Sequence, residues 1–314
     1  MENLLESWKE FLKGKRKRKD VQEFGLFLMD NIIGLHNDLD NHTYNHGPYQ
    51  AFRINDPKPR QIHKSLVRDR LLHHAIYRQL YPFFDRMFTA DSFSCRLGKG
   101  THKALNRFRS FAFKVSKNNT RTCWILKCDI KKFFENIDHE VLLSILKEYI
   151  RDRNTIWLLE RVIYSFSSAP GRGLPLGNLT SQLFVNIYMN EFDQFVKHNL
   201  KAKYYIRYAD DFVVLFQDKS WLEEMLPKMG DFLEERLKLE LHPDKVFIKT
   251  FASGVDFLGW VHFPDHRALR TTTKKRMLKR IKAKQDISTT KSYLGLISHG
   301  NAKKLEKEIL RISE

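Results

Sequence analysis

Residues 204–216 read YYIRYADDFVVLF, and ten of these thirteen are apolar or aromatic. β-Formers dominate, the composition of buried strand. Two acids, Asp210 and Asp211, interrupt the run near its middle. An unpaired buried carboxylate is costly and two adjacent ones repel, so the pair needs a reason. Successive residues of a regular strand point to opposite faces. Asp210 and Asp211 therefore converge only if Ala209-Asp210 is a tight turn, with YYIRY and FVVLF as the arms of a hairpin. Small Ala209 suits such a tip.

Working outward, residues 122–134 (TCWILKCDIKKFF) form a second buried-strand pattern that runs apolar up to Asp129. A strand ending there beside the hairpin would add a third carboxylate. Three clustered carboxylates repel unless cations sit among them. Magnesium prefers oxygen ligands and keeps positions open for phosphate. Two such ions, about 3.5–4 Å apart, stabilise the attacking and leaving oxygens of an in-line phosphoryl transfer. An isolated Asp-Asp is more often an ordinary exposed turn; Asp129 and the charge of the chain shift that balance.

The charge is +18 over 314 residues, more than solubility requires, and points to a polyanionic partner. No apolar run approaches a membrane span, and the first residues, MENLLESWKEFLKGK, lack a signal-peptide core, which favours nucleic acid over a membrane surface. A hydrophobic content of 42% is that of a globular chain. Cys95, Cys123 and Cys128 form no CxxC pair and suggest a reducing cytoplasm, with neither a disulfide framework nor a zinc site.

Residues 1–40 read as helical, interrupted by the basic run Lys13–Asp20, which is either a solvated linker or a phosphate contact. A helix is expected over residues 66–80, ending before Pro82, and another from His102. Asp138 is a candidate N-cap. Gly171 opens a Gly/Pro-rich loop that becomes a long helix, and a later helix contains Pro227. LKLELHPDKVFIKT reads as two short strands around a turn, GVDFLGW as another strand, and the tail beyond Arg270 as basic helices. Strands and helices are mixed with hairpins, so the fold class is α+β.

In order along the chain, KPRQIHKSLVRDR (58–70), FSCRLGKGTH (93–102), KCDIKKFFENID (127–138), GLPLGNLTSQ (173–182), YADD (208–211), LHPDK (241–245) and GVDFLGW (254–260) resemble the sequence blocks of reverse transcriptases of bacterial retroelements. Each block is weak alone, but the ordered set is specific and covers roughly residues 20 to 300. The fourth block reads Leu-Pro-Leu-Gly-Asn and ends in Thr-Ser-Gln, where most bacterial members carry Pro-Gln-Gly and Ser-Pro. In this it is similar to the enzymes of diversity-generating retroelements, which copy a template RNA with frequent errors at adenines.

The resemblance implies a right-hand polymerase: a basic helical extension (1–55), fingers (56–125), a palm with an antiparallel sheet flanked by helices (126–265) and a short helical thumb (266–314). It implies RNA-directed DNA synthesis from dNTPs on an RNA template and its RNA/DNA primer–template duplex, with two Mg2+ ions, for which Mn2+ can substitute. It further implies a small basic accessory protein and a bacterial or phage-encoded, cytoplasmic enzyme that touches no membrane. Asp129 and Asp210 should hold both metals, with Asp211 beside them and the Ile130 carbonyl also facing a metal. Phe134 matches the position that excludes a ribose 2′-hydroxyl; on a strand, Phe133 would then point the other way. Arg60, Lys64 and Arg70 are candidates for the triphosphate and Lys245 for the leaving pyrophosphate. Leu176 replaces a glutamine beside the nascent pair, and Gly177 lets backbone approach the nucleotide. Ser181 and Gln182 would touch template, and Phe257, Leu258 and Gly259 would grip the primer. Two other readings compete: a reverse transcriptase of a group II intron-like or phage-defence system, and a catalytically silent RNA-binding protein of the same fold.

Overall fold

The computed structural model describes residues 1–55, 59–284 and 286–313; Lys58 of the first block lies outside them. In chain order the elements are α1 (Glu2–Phe11), α2 (Lys19–Leu26), α3 (Leu28–Asp40), β1 (Gln50–Ile54), β2 (Arg60–Lys64), α4 (Val67–Met87), α5 (Thr101–Val115), β3 (Trp124–Asp129), α6 (His139–Tyr149), α7 (Arg153–Ile163), α8 (Leu179–Gln194), β4 (Tyr205–Tyr208), β5 (Asp211–Phe216), α9 (Lys219–Leu237), β6 (Phe247–Thr250), β7 (Val255–Phe257), β8 (Trp260–His262), β9 (Arg267–Leu269), α10 (Thr271–Lys284), α11 (Ile287–Ile297) and α12 (Lys303–Ser313). The mixture is α+β, as expected.

The central sheet is antiparallel with strand order β4-β5-β3-β6. Period-two alternation divides its side chains between two cores. Leu126, Cys128, Tyr205, Phe212 and Val214 join the core that includes Phe184, Tyr188 and Phe192 of α8 and Leu222 and Leu233 of α9. Ile125, Ile206, Val213 and Leu215 join a second core with Leu105 and Phe108 of α5 and Val255, Phe257 and Trp260 of the β7–β8 hairpin. Both faces are covered, which explains why the strands read as continuous apolar runs.

On the N-terminal side, Leu4, Trp8 and Phe11 of α1 are buried in a core shared with Leu71, Leu72 and Ala75 of α4. The basic run forms the turn between α1 and α2. Strands β1 and β2 pair as a separate hairpin, from Gln50 opposite Lys64 to Ile54 opposite Arg60, so a boundary between residues 55 and 56 cuts through its connection. At the other end, α10–α12 enclose Met277, Ile281, Ile297, Leu305 and Ile309. This bundle docks where Gly300 meets Trp260: a Cβ at 300 would lie 2.1 Å from the indole and 3.0 Å from the Arg267 carbonyl.

Three local expectations change. Helix α4 runs through Pro82 to Met87, because burial of Tyr81 and Phe84 outweighs the missing proline N–H. The strand expected before His242 reduces to one bridge between Leu241 and Ile130, and Pro243–Lys245 form a 3-10 turn. GVDFLGW is a hairpin tip, not one strand: Phe257 pairs with Trp260 across Leu258-Gly259. Asp138 caps α6 as expected, accepting from Val141 N–H at 3.1 Å.

Candidate active site

Tyr208 lies opposite Asp211, so Ala209 and Asp210 are the whole loop between β4 and β5. Ala209 has φ 57°, the positive value that twist-matched two-residue hairpins require at their first loop position. On the neighbouring strand Asp129 is the cross-strand partner of Asp211. Two backbone hydrogen bonds fix the ends: Ile130 N–H donates to the Asp210 carbonyl (3.2 Å), and His242 N–H donates to the Asp129 carbonyl (2.8 Å). The three acids thus share one end of the sheet.

Their surroundings are crowded. Burial, reinforced by the charge of Asp211, pushes the Asp210 carboxyl up to about 6. Asp211 is also raised by burial, while the Lys127 ammonium pulls it back. Lys127 Nζ stands 3.3 Å from Asp211 Oδ1, and Lys245 Nζ stands 2.6 Å from Asp129 Oδ1. The Lys127 contact is an ion pair without hydrogen-bond alignment, because Asp211 Oδ1 is buried and has no hydrogen-bond partner.

No group of three His, Cys, Asp or Glu among the described residues forms a ready metal cage. Ammonium groups meet two of the three carboxylates instead. The donor set still fits a divalent cation: it is all oxygen, one buried oxygen is unpartnered, and one acid is pushed towards its neutral form by burial and by the neighbouring carboxylate, a cost that a cation would relieve.

The remaining expected residues fall in several places. Phe133 and Phe134 lie in a 3-10 turn after Lys132 (φ 46°), so a turn rather than strand alternation sends Phe133 inward and leaves Phe134 half-buried. Leu176 accepts from His63 N–H at 3.0 Å, which ties its loop to β2. Gly177 has φ 110°, and a Cβ there would lie 2.8 Å from Ile62 Cγ2; only glycine allows β2 so close. Arg60 is exposed at the start of β2. Lys64 and Arg70 both pair with Asp20 of α2, Lys64 at 2.6 Å, so they face the N-terminal helices. Ser181 is buried in α8, while Gln182 lines an adjoining cavity.

Phe257 departs from its expected primer contact. It is fully buried and stacks on Phe108 at 5.3 Å, so it supports the hairpin from inside. Leu258 (φ 50°) and Gly259 (φ 86°) form the tip.

Sequence reasoning missed what lies beneath the acids. Arg207 and Asp193 are both fully buried and meet through Nε–Oδ1 and Nη2–Oδ2 bonds, each 2.7 Å. Tyr205 Oη donates to the same Asp193 Oδ1 (2.6 Å), and Arg207 Nη2 donates to Ser92 Oγ (3.1 Å). Arg207 Nη1 donates to the Ala209 carbonyl (3.2 Å), inside the loop that carries Asp210. The available signal was the lone arginine in YYIRY, since a buried guanidinium requires a buried acid.

A family model described as reverse transcriptase (RNA-dependent DNA polymerase) matches residues 54–262. Protein YkfC of Escherichia coli is 26% identical over 72% of this chain and 68% of its own length. The group II intron-encoded protein LtrA of Lactococcus lactis is 24% identical over 80% of this chain. The chain spans about half of LtrA, 52%. Among solved structures, telomerase from Candida albicans superposes with a TM-score of 0.55 at 13% identity, over 78% of this chain and 51% of that one. Telomerase from Candida tropicalis gives 0.53 at 12%, over 86% and 53%. At such identities the likeness concerns the fold alone. That fold is a right-hand polymerase, with the antiparallel sheet as its palm. No helix among the described residues is long and apolar enough to cross a membrane. The extent of the family match, with three aspartates gathered at one end of the palm sheet, makes this chain a member of the reverse transcriptase (RNA-dependent DNA polymerase) family, and hence an RNA-directed DNA polymerase.

Proposed function

We propose that this chain copies a retroelement template RNA into cDNA by two-metal nucleotidyl transfer, and does so carelessly at adenines as part of a diversity-generating retroelement. The observation that carries the reading is Leu176 in LPLGN, held against β2 by its carbonyl. An apolar side chain there offers no hydrogen bond around the template-paired nucleotide. A site without that polar contact loses one means of rejecting a wrong pair.

In this reading Asp129 and Asp210 would hold Mg2+ (Mn2+ would suit the same oxygens), with Asp211 and the Ile130 carbonyl as further oxygen donors beside them. The ions, when bound, supply the charge that stabilises the attacking and leaving oxygens. Lys245, standing on Asp129, moves to the leaving pyrophosphate. Arg60 meets the triphosphate; Lys64 and Arg70 join it only if they leave Asp20. Phe134 closes the space where a 2′-hydroxyl would sit, and Gly177 lets backbone approach the incoming nucleotide. Ser181 and Gln182 lie on the template side, and Leu258 and Gly259 at the primer. Residues 1–55 are a docking surface for a small basic accessory protein, and the lysines and arginines of residues 266–314 follow the duplex backbone. The enzyme works in a bacterial or phage-infected cytoplasm.

Primer extension on an RNA template with magnesium should yield cDNA, with misincorporation concentrated opposite adenine. Leu176→Gln should lower that error at similar extension; unchanged error would remove the account given for Leu176. The match to LtrA favours a second reading, a group II intron-type enzyme. Uniform errors across all template bases would favour it.

A further inference from the structure

The three acids have a buried cation among them. Lys127 lies on β3 two residues before Asp129, so strand alternation puts both on one face of the sheet. β3 is an inner strand, and Lys127 is flanked in register by Val213 and Phe247. The residue is only 8% exposed. Lysine is almost never so deeply buried unless it is paired. Among the described residues its one ion pair is with Asp211 Oδ1, at 3.3 Å.

The two lysines at this end of the sheet differ. Lys245 is exposed on a 3-10 turn and can leave Asp129. The Lys127 side chain is 10% exposed and rooted in a strand paired on both sides, so its ammonium stays near the acids whatever else binds. Its grip on Asp211 is nonetheless loose, because the facing oxygen makes no hydrogen bond. An ammonium is a point charge, whereas an arginine would fork onto the carboxylate as Arg207 does on Asp193. Lys127 is therefore a cation that yields Asp211 without leaving, and its charge opposes any other cation that approaches. Magnesium is commonly held by one or two carboxylates together with substrate phosphates. Nucleotide phosphates would supply the negative charge that Lys127 removes.

We propose that Lys127 is a positioning residue that acts on the metal ions through Asp211: it competes for that carboxylate, keeps the acids from holding a divalent ion tightly on their own, and makes tight binding wait for the phosphates of an incoming nucleotide. The proposal rests on the metal reading of Asp129, Asp210 and Asp211. An order of events follows: nucleotide and metal enter together, rather than metal first.

Mn2+ titration of the full chain, followed by electron paramagnetic resonance, tests it on a primer–template whose primer lacks a 3′-hydroxyl. Three arms are compared: no dNTP, the matching dNTP, and a mismatched dNTP that chelates Mn2+ equally in solution. In the wild type the matching dNTP should tighten Mn2+ binding beyond the mismatched one. Without dNTP, Lys127→Met should bind Mn2+ about tenfold more tightly, the order expected for one unit charge near a metal in a partly wet site. Lys127→Arg keeps the charge and should bind Mn2+ no more tightly than the wild type. Lys131→Met removes an exposed cation that pairs with Glu240 at 2.9 Å, and should shift Mn2+ binding by less than about twofold because that charge is screened. Melting temperature is the second readout. Mg2+ should raise it more for Lys127→Met than for the wild type, whereas lost packing alone would lower it equally with and without Mg2+. If Lys127→Met gives no folded chain, Lys127→Gln takes its place. Unchanged Mn2+ affinity in Lys127→Met, equally tight binding by Lys127→Arg, or a wild type indifferent to the matching dNTP overturns the proposal alone. If the wild type binds no Mn2+ that Asp210→Asn loses, the metal reading falls and the proposal with it.

Discussion

The palm sheet carries charge on both faces, in two different ways. On the face towards α8, Arg207 and Asp193 are fully buried and joined by two 2.7 Å bonds. On the face towards α5, by the alternation of the strands, Asp129 and Asp211 meet Lys245 and Lys127 through one contact each, at 2.6 and 3.3 Å. Lys245 is 41% exposed, and among the described residues no ion pair holds Asp210. The first arrangement fixes its partners for the life of the fold. The second leaves carboxylates whose partners can be exchanged. Strand alternation lets one short hairpin hold both, a frame on one side and a reactive edge on the other.

The largest effect should come from breaking the frame. Asp193→Ala leaves a buried guanidinium without its anion and should cost about 3–5 kcal/mol in urea unfolding. A double change, Asp193→Leu with Arg207→Met, should recover much of that stability. It should not recover activity, because the bond from Arg207 to the Ala209 carbonyl is gone. Recovery of both would mean the pair only fills space.

On the reactive edge, Asp210→Asn should lower primer extension at least about 100-fold, as for loss of a charge that stabilises the transition state. Its fold should be at least as stable as the wild type. Unchanged extension would remove Asp210 from the chemistry.

The same variant sharpens the contrast through pH. Asp210 in the folded, metal-free chain keeps its proton up to about 6, against an ordinary 3.8. A raised carboxyl contributes stability that is present below the unfolded value and lost as pH rises through the folded one. Metal-free wild type should therefore lose stability relative to Asp210→Asn as pH climbs from about 4 to about 6. Magnesium should close the gap above that range. A gap that is flat with pH would mean the acids are not crowded. The smallest effect belongs to the loop: Ala209→Gly relieves a positive φ and should stabilise by less than about 1 kcal/mol, read as a small rise in melting temperature.

Much of the reactive edge was legible. Asp210 and Asp211 break an apolar run, and the period-two rule alone requires a turn at Ala209-Asp210, where the structure has it. Asp129 was found because a strand pattern ended on it. The frame was not legible, since Asp193 lies in α8 and nothing in the spacing of YYIRY names its partner. Lys64 and Arg70 carry suitable charge for a triphosphate, but charge type does not report direction, and Asp20 turns them towards α2. The expected primer contact of Phe257 fails for a related reason: a three-residue strand is too short for its pattern to say which face is inside.

The pairing of Asp129 with Asp211 has a consequence in time. The two are direct neighbours across the sheet, yet about 80 residues separate them along the chain. Closing so long a loop costs entropy before any contact repays it, and such distant pairings form slowly. During synthesis, helices α6 to α8 must all have emerged before β5 can be laid against β3. Until then the chain has a strongly basic surface and no assembled acid cluster. A nascent chain can therefore hold RNA electrostatically well before it can copy it, and binding and catalysis should appear as separate events when the protein is made or refolded.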